Sequence, residues 1–167
     1  MTTGHSEVTL DLLADVAVAF CKRDADRVRS LRDSGAQLDR GMWRRIADNG
    51  WLTILVPERL GGAGIGVDAV AIIARALGYG AFPEPFVAAG VLPGVVLSAA
   101  GDGAAEERMS SMLDGSSVVG ICWEGGVAAD RDGALTGVSR FVGVAGADAY
   151  VVAANGALFW VSASAPG

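Results

Sequence analysis

The stretch that most constrains this chain is Val56-Pro57-Glu58-Arg59-Leu60-Gly61-Gly62-Ala63-Gly64-Ile65-Gly66-Val67, entered through Trp43, Gly50 and Trp51. A connection between helices is ordinarily met by one glycine past the helix end and a few polar residues. Four glycines behind a Pro-Glu pair ask for more: a backbone that enters positive φ or lies against a neighbouring element. A phosphate-cradling loop is a poor match. Gly62 and Gly64 have the spacing of G-x-G-x-x-G, but the third position is Val67, and no lysine follows for the P-loop form. A flexible surface loop would account for the glycines alone, though not for the Trp and Pro-Glu residues that flank them.

Periodicity predicts helices first. Leu13, Val16, Ala17, Phe20 and Cys21 define one apolar face, with Thr9 as N-cap and Asp11 in the first turn. A charged helix is predicted over 24–33, with its cations read as a solvated face because Asp24, Asp26 and Asp33 interleave with them. Further helices are predicted over 38–49, capped by Gly50, and over 67–77, carrying Val70, Ile73, Ala74 and Leu77. Residues 81–85 read as a bend that places Pro85 first in the next helix. That helix, 86–100, is apolar nearly all round, predicting a central position and a kink at Pro93. An amphipathic helix over 104–113 carries Met109, Met112 and Leu113.

From Ser116 the pattern turns to strands. Val118, Val119, Ile121, Cys122 and Trp123 form an apolar run of β-formers. Residues 135–144 supply another strand, and Asp132-Gly133 and Asn155-Gly156 are two-residue hairpin signals. The fold class is therefore α+β, an all-α domain over residues 1–114 followed by an incomplete antiparallel β domain over 115–167. A sheet of so few strands leaves an open edge, so the chain is expected to be a piece of a longer subunit or to be completed by another chain.

Composition removes several function classes. A net charge of −6 argues against a nucleic-acid partner. The two cysteines, Cys21 and Cys122, sit in apolar segments as small hydrophobes, and the one histidine, His5, lies in a polar N-terminal stretch. A Ser-His-Asp site and a multi-histidine metal site are not supported. No signal peptide or membrane span is apparent, so the expectation is a cytoplasmic protein.

The pattern Trp43-x-x-Ile46-Ala47-x-x-Gly50-Trp51-x-x-x-x-Val56-Pro57-Glu58-x-x-Gly61-Gly62-x-Gly64 resembles the N-terminal helical domain of the acyl-CoA dehydrogenase family. So do Leu135-Thr136-Gly137-x-x-x-Phe141-Val142, Ala147-Asp148 before Tyr150-Val151-Val152, and Ser164-Ala165-Pro166-Gly167. The resemblance implies FAD chemistry on an acyl-CoA substrate, removing hydrogen across the Cα–Cβ bond, with the catalytic base on a third, helical domain absent from these residues. It implies Trp123, Glu124, Phe141, Val142 and Gly143 beside the flavin, and Phe86, Ala89, Gly90 and Pro93 along the acyl pocket. Sheet packing for the aromatics and plain core for the helix are the alternative readings of the same residues.

One departure stands out. The family strand T-E-P-x-x-G-S-D is replaced by Trp123-Glu124-Gly125-Gly126, without the Gly-Ser-Asp. Two functions follow: part of a flavin-dependent acyl-CoA dehydrogenase, or a subunit without its own FAD that pairs with an active homologous subunit. Some bacterial members acting on steroid-type CoA esters resemble the second arrangement.

Overall fold

The computed structural model describes residues 3–101, 103–140 and 142–166, with residues 3–8 described by backbone alone. The helices are α1 (Thr3–Phe20), α2 (Ala25–Asp33), α3 (Arg40–Asp48), α4 (Val67–Tyr79), α5 (Leu92–Ala100) and α6 (Gly103–Leu113). The strands are β1 (Val119–Cys122), β2 (Gly125–Ala129), β3 (Leu135–Ser139), β4 (Ala149–Ala154) and β5 (Ala157–Ser162). Helices precede strands, as the sequence predicts.

The glycine loop closes on itself. Gly61 takes a left-handed conformation at φ 80°, and the chain turns back so that Gly62 donates to the Pro57 carbonyl at 3.1 Å. The Ala63 amide reaches Thr53 O at 2.9 Å, Gly64 reaches Val56 O at 3.0 Å, and Ile65 reaches Ile54 O at 2.9 Å. A Cβ on Gly62 would stand 1.9 Å from the Val56 carbonyl oxygen, so only glycine fits. The loop thereby pins residues 51–56, whose side chains serve two cores. Trp51, Leu52 and Ile54 pack with Trp43, Ile46, Ile73, Leu77 and Phe86. Val56 packs with Leu97, Met109, Met112, Val119 and Val151. Trp43 and Trp51 are both fully buried.

Several expectations are corrected. Helix α1 begins at Thr3, so Thr9 and Asp11 lie in its interior and His5 is helical; nothing before Thr9 breaks the helix. Its buried face is phased by packing on α4, which uses Leu10, Leu13, Ala17, Phe20 and Cys21 and leaves Val16 exposed. Arg27 of α2 is not solvated but is drawn inward, as described below.

Residues 86–100 are not one α-helix. Phe86–Val91 form a π-helical turn, in which the Leu92 amide reaches Val87 O, and α5 follows with Pro93 in its first turn. Proline lacks the amide that would extend an α-helical ladder through this point, and the wider turn absorbs the disruption. Pro85 precedes this element rather than opening it. Phe86, Ala89 and Leu97 are buried, but Val87 and Val95 face outward.

The sheet is mixed. β4 and β5 are antiparallel around Asn155-Gly156, whose φ values of 50° and 77° are those of a type I′ turn. β1, however, runs parallel to β4, because the β2–β3 hairpin lies between them in sequence and carries the chain back. That hairpin turns through three residues, Arg131-Asp132-Gly133, with Asp130 N–H on Ala134 O at 3.0 Å and Gly133 left-handed. β3 ends at Ser139 rather than continuing to 144, and Trp123 lies beyond β1.

Asp148 locks the sheet to the helices. Its carboxylate takes both Arg40 guanidinium nitrogens at 2.5 and 2.9 Å and the Val118 amide at 2.7 Å, while Arg40 also reaches Gly146 O at 2.9 Å. The Arg40 hydrogen bonds, then the Val118 amide, hold the Asp148 carboxyl below its ordinary range. Arg108 of α6 adds a second tie, lying 4.6 Å from the Trp160 ring centroid on β5.

Two outcomes are expected. Gly62→Ala forces the loop open and lowers unfolding free energy by about 3 kcal/mol in urea titrations, whereas Gly61→Ala, with open space around it, costs only its left-handed penalty of about 1–2 kcal/mol. Because the Asp148 carboxyl is depressed in the fold, its contribution is present above the unfolded carboxylate value of about 3.9 and is lost as pH falls below it. Asp148→Asn therefore lowers stability by about 1 kcal/mol at neutral pH, a figure reduced for the 43% exposure of the side chain, and the gap to the parent protein narrows in melts at pH 3.

Candidate functional site

The described predicted site residues fall in two places, an exposed edge at the β1–β2 connection and the π-helical turn with the segment that passes over it. The peptide after β1 bends through Trp123 and Glu124 directly into β2, which pairs with β3 from its first residue, Gly125 opposite Ser139. The Glu124 carbonyl accepts the Arg140 amide at 2.8 Å and the Ser139 hydroxyl at 2.9 Å. Glu124, Gly125, Gly126, Gly137, Val138 and Arg140 frame an open hollow of about 590 Å³. Trp123 is 61% exposed beside it.

Val142 and Gly143 are exposed and pass over the π-helical turn, where a Cβ on Gly143 would stand 3.1 Å from the Ala88 Cβ. The Val144 side chain then turns into the helical core. Phe141 lies outside the described residues. The predicted acyl-pocket residues Phe86, Ala89, Gly90 and Pro93 are buried. A Cβ on Gly90 would come within 2.7 Å of Leu52 and 3.5 Å of Trp43, so this side of the element is filled by core. The side turned outward carries Val87 and Val95, with Ala88 and Leu92 half-buried.

A charged cluster that periodicity did not disclose anchors the entry to this element. Glu84 is buried, and its carboxylate takes both Arg27 guanidinium nitrogens, at 2.7 and 3.3 Å. Arg27 also reaches Asp39 at 3.1 Å and lies 4.8 Å from the Phe82 ring centroid. Asp39 caps α3 through the Met42 amide at 3.0 Å; that hydrogen bond first, and then Arg27, hold its carboxyl below the ordinary range. The Glu84 hydrogen bond raises the Arg27 guanidinium above its usual value. Two amides away from Glu84, Phe86 N–H closes on Glu84 O at 2.8 Å and starts the π-helical turn. The Asp39 cap was open to a sequence reading as an Asp preceding a helix, but an ion pair between residues 27 and 84 leaves no local signal.

Elsewhere, Cys21 is buried and its thiol is pushed up to about 11 by that burial, which makes it unreactive. Among the described residues no group of acids, cysteines and histidines could hold a metal ion. No described helix is long and apolar enough to cross a membrane.

The fold matches an established class. Residues 8–113 fit the family model described as acyl-CoA dehydrogenase, N-terminal domain, and the chain belongs to the acyl-CoA dehydrogenase family. It is 32% identical over 181 residues to acyl-CoA dehydrogenase FadE27 of Mycobacterium tuberculosis, covering 99% of this chain and 48% of that protein. Among solved structures, a variant of the Tcur3481-Tcur3483 steroid ACAD superposes with a TM-score of 0.82 at 25% identity, over 97% of this chain and 50% of that one. The ChsE4-ChsE5 complex of Mycobacterium tuberculosis does so with a TM-score of 0.72 at 27% identity, over 100% and 49%. The chain thus spans about half the length of the relatives it matches. An FAD complex of PigA shares the fold at 18% identity, with a TM-score of 0.75.

The edge does not fit a flavin cradle. Residues 123–126 offer an indole, a carboxylate and two glycines, with no side-chain hydroxyl. The nearby Ser139 hydroxyl is already donated to Glu124 O. Hydrogen bonds that orient and tune a flavin ring have no source in these side chains beyond the exposed indole.

The cluster at Glu84 yields an expected outcome. Glu84→Ala leaves the mostly buried Arg27 with Asp39 alone and lowers unfolding free energy by about 3 kcal/mol, measured in urea. Arg29→Ala, which removes only the exposed pair with Asp26, changes it by less than about 0.5 kcal/mol.

Proposed function

We propose that this chain serves a heteromeric acyl-CoA dehydrogenase as a subunit that holds no FAD of its own, pairing with a homologous subunit that does. The observation that carries this reading is the Trp123–Gly126 stretch, where the donors expected toward a flavin are replaced by an exposed indole, an acid and two glycines. Two of the matched structures, the ChsE4-ChsE5 complex and the Tcur3481-Tcur3483 steroid ACAD, are each named for two proteins, which supports a two-component assembly. A steroid-type CoA ester is the substrate class this likeness favours.

In this reading residues 1–114 form the helical domain and 115–167 the first part of the β domain. Phe86, Ala89, Gly90 and Pro93 back the acyl-pocket element from within, and its outward side, with Val87 and Val95, faces the substrate space. Val142 and Gly143 brace that element rather than touch a ring. A second reading has the protein bind FAD and desaturate an acyl-CoA itself; the 32% identity to a relative named as an acyl-CoA dehydrogenase supports it.

The visible spectrum separates the two. The intact protein purified without a partner is expected to lack the flavin absorption band and to take up no FAD on addition. Co-expression with its homologous partner is expected to give a yellow complex that reduces on adding acyl-CoA. A flavin band in the lone protein, retained through gel filtration, would overturn the proposal in favour of the second reading.

A further inference from the structure

The chain is acidic, with 13 Lys and Arg against 19 Asp and Glu, yet four of those cations, including the single lysine, converge on one hollow of about 590 Å³. It opens between the α1–α2 connection and α3. Lys22 and Arg23 leave the end of α1, Arg27 comes from α2 and Arg45 from α3. Its floor is aromatic: the Phe20 and Phe82 rings lie 5.9 Å apart, Arg45 stacks 5.1 Å from the centroid of the first, and Arg27 stacks 4.8 Å from that of the second.

Two acids, Asp24 and Asp26, share this hollow. Asp24 caps α2 by accepting the Arg27 amide at 2.9 Å, and Asp26 pairs with Arg29. Arg27 is matched from behind by Glu84 and Asp39. Among the described residues, Lys22, Arg23 and Arg45 form no ion pair. Asp24 is the one acid of the lining that pairs with none of the described cations, so Lys22, Arg23 and Arg45 outnumber it and repel one another on balance, and the ring stacking holds Arg45 in place against that repulsion. Each ring already carries a guanidinium group over it, which leaves less aromatic surface for a base or other ring to stack on. What the hollow offers is multiple charge-assisted donors around a concavity of ligand size.

We propose that this hollow binds a compact anion carrying a diphosphate group. Arg45, fixed on the Phe20 ring, provides the forked donor, and Lys22 and Arg23 close on the remaining oxygens. Concavity favours a small anion over the acidic surface of another protein, which would meet a flatter patch. This site is separate from the edge at Trp123 and does not depend on whether the chain holds flavin.

Calorimetric titration of the intact protein with sodium pyrophosphate, and in parallel with ADP, tests it. Pyrophosphate is expected to bind with a Kd below about 1 mM at low salt, weakening about tenfold between about 50 and 200 mM salt. Lys22→Gln and Arg45→Gln should each weaken it several-fold. Arg59→Gln, an equal change of net charge at an exposed loop outside the hollow, should leave it unchanged. Comparable affinity for ADP assigns the diphosphate of a nucleotide as the recognised group, and weaker affinity assigns the free anion. Absence of pyrophosphate heat, or equal losses in all three variants, would overturn the site. So would loss of partner-subunit binding in K22Q and R45Q without any pyrophosphate binding, which would assign the patch to an acidic protein surface.

Discussion

The Val56 carbonyl, turned toward the loop that follows it, accepts the Gly64 amide at 3.0 Å, and no atom larger than hydrogen fits on Gly62 beside it. Residues 51–56 depend on that closure for their position, and both cores depend on those residues. Trp51, Leu52 and Ile54 insert into the core built from α1, α3 and α4, while Val56 inserts into the one shared by α5, α6 and the sheet. A single short segment therefore sets the spacing of the two cores. Loosening it would shift large side chains on both sides at once, and close-packed interiors tolerate little such movement.

Between elements far apart in sequence, charge supplies what local hydrogen bonding cannot. Glu84 and Arg27 join the start of the π-helical turn to α2, and Asp148 and Arg40 join the sheet to α3. Both arginines are bidentate, which fixes orientation as well as distance. The Asp148 carboxylate also takes the Val118 amide, so the same residue aligns the parallel β1–β4 pair and seats that sheet on the helices. This gives the Ala147-Asp148 strand entry a mechanical role.

Legibility in the sequence follows the range of the interaction. The Asn155-Gly156 hairpin and the α4 face of Val70, Ile73 and Leu77 are written in adjacent or helically spaced residues, and the structure has them as read. The family likeness at Trp43 to Gly64 was likewise local, and the matched model covers it. What local pattern could not supply was pairing: the parallel register of β1 with β4, the inward turn of Arg27, and the substitution of a π-helical turn for the first part of the 86–100 helix. In α1, Leu13, Ala17, Phe20 and Cys21 face the core as read, but Val16 is exposed and Leu10 packs inward, since the two are equally apolar and only the seat on α4 decides between them. At the candidate site, the sequence singled out Trp123, Glu124, Val142 and Gly143, and the structure leaves all four exposed. The sequence could not show that Phe86, Ala89, Gly90 and Pro93 point into filled core rather than open space.

Motif strength and chemical role separate in this molecule. The Pro-Glu-x-x-Gly-Gly-x-Gly loop is the strongest mark of ancestry, and its backbone hydrogen bonds close the loop and tie it to Thr53 and Val56. The residues that would meet a cofactor lie about sixty positions later, on a connection of two residues between strands, where few contacts restrain substitution. A position of that kind can lose its donors without cost to the fold, because neither Trp123 nor the Glu124 side chain is packed in a core. The fold thus argues for family membership, while function has to be argued from the chemistry of the exposed edge.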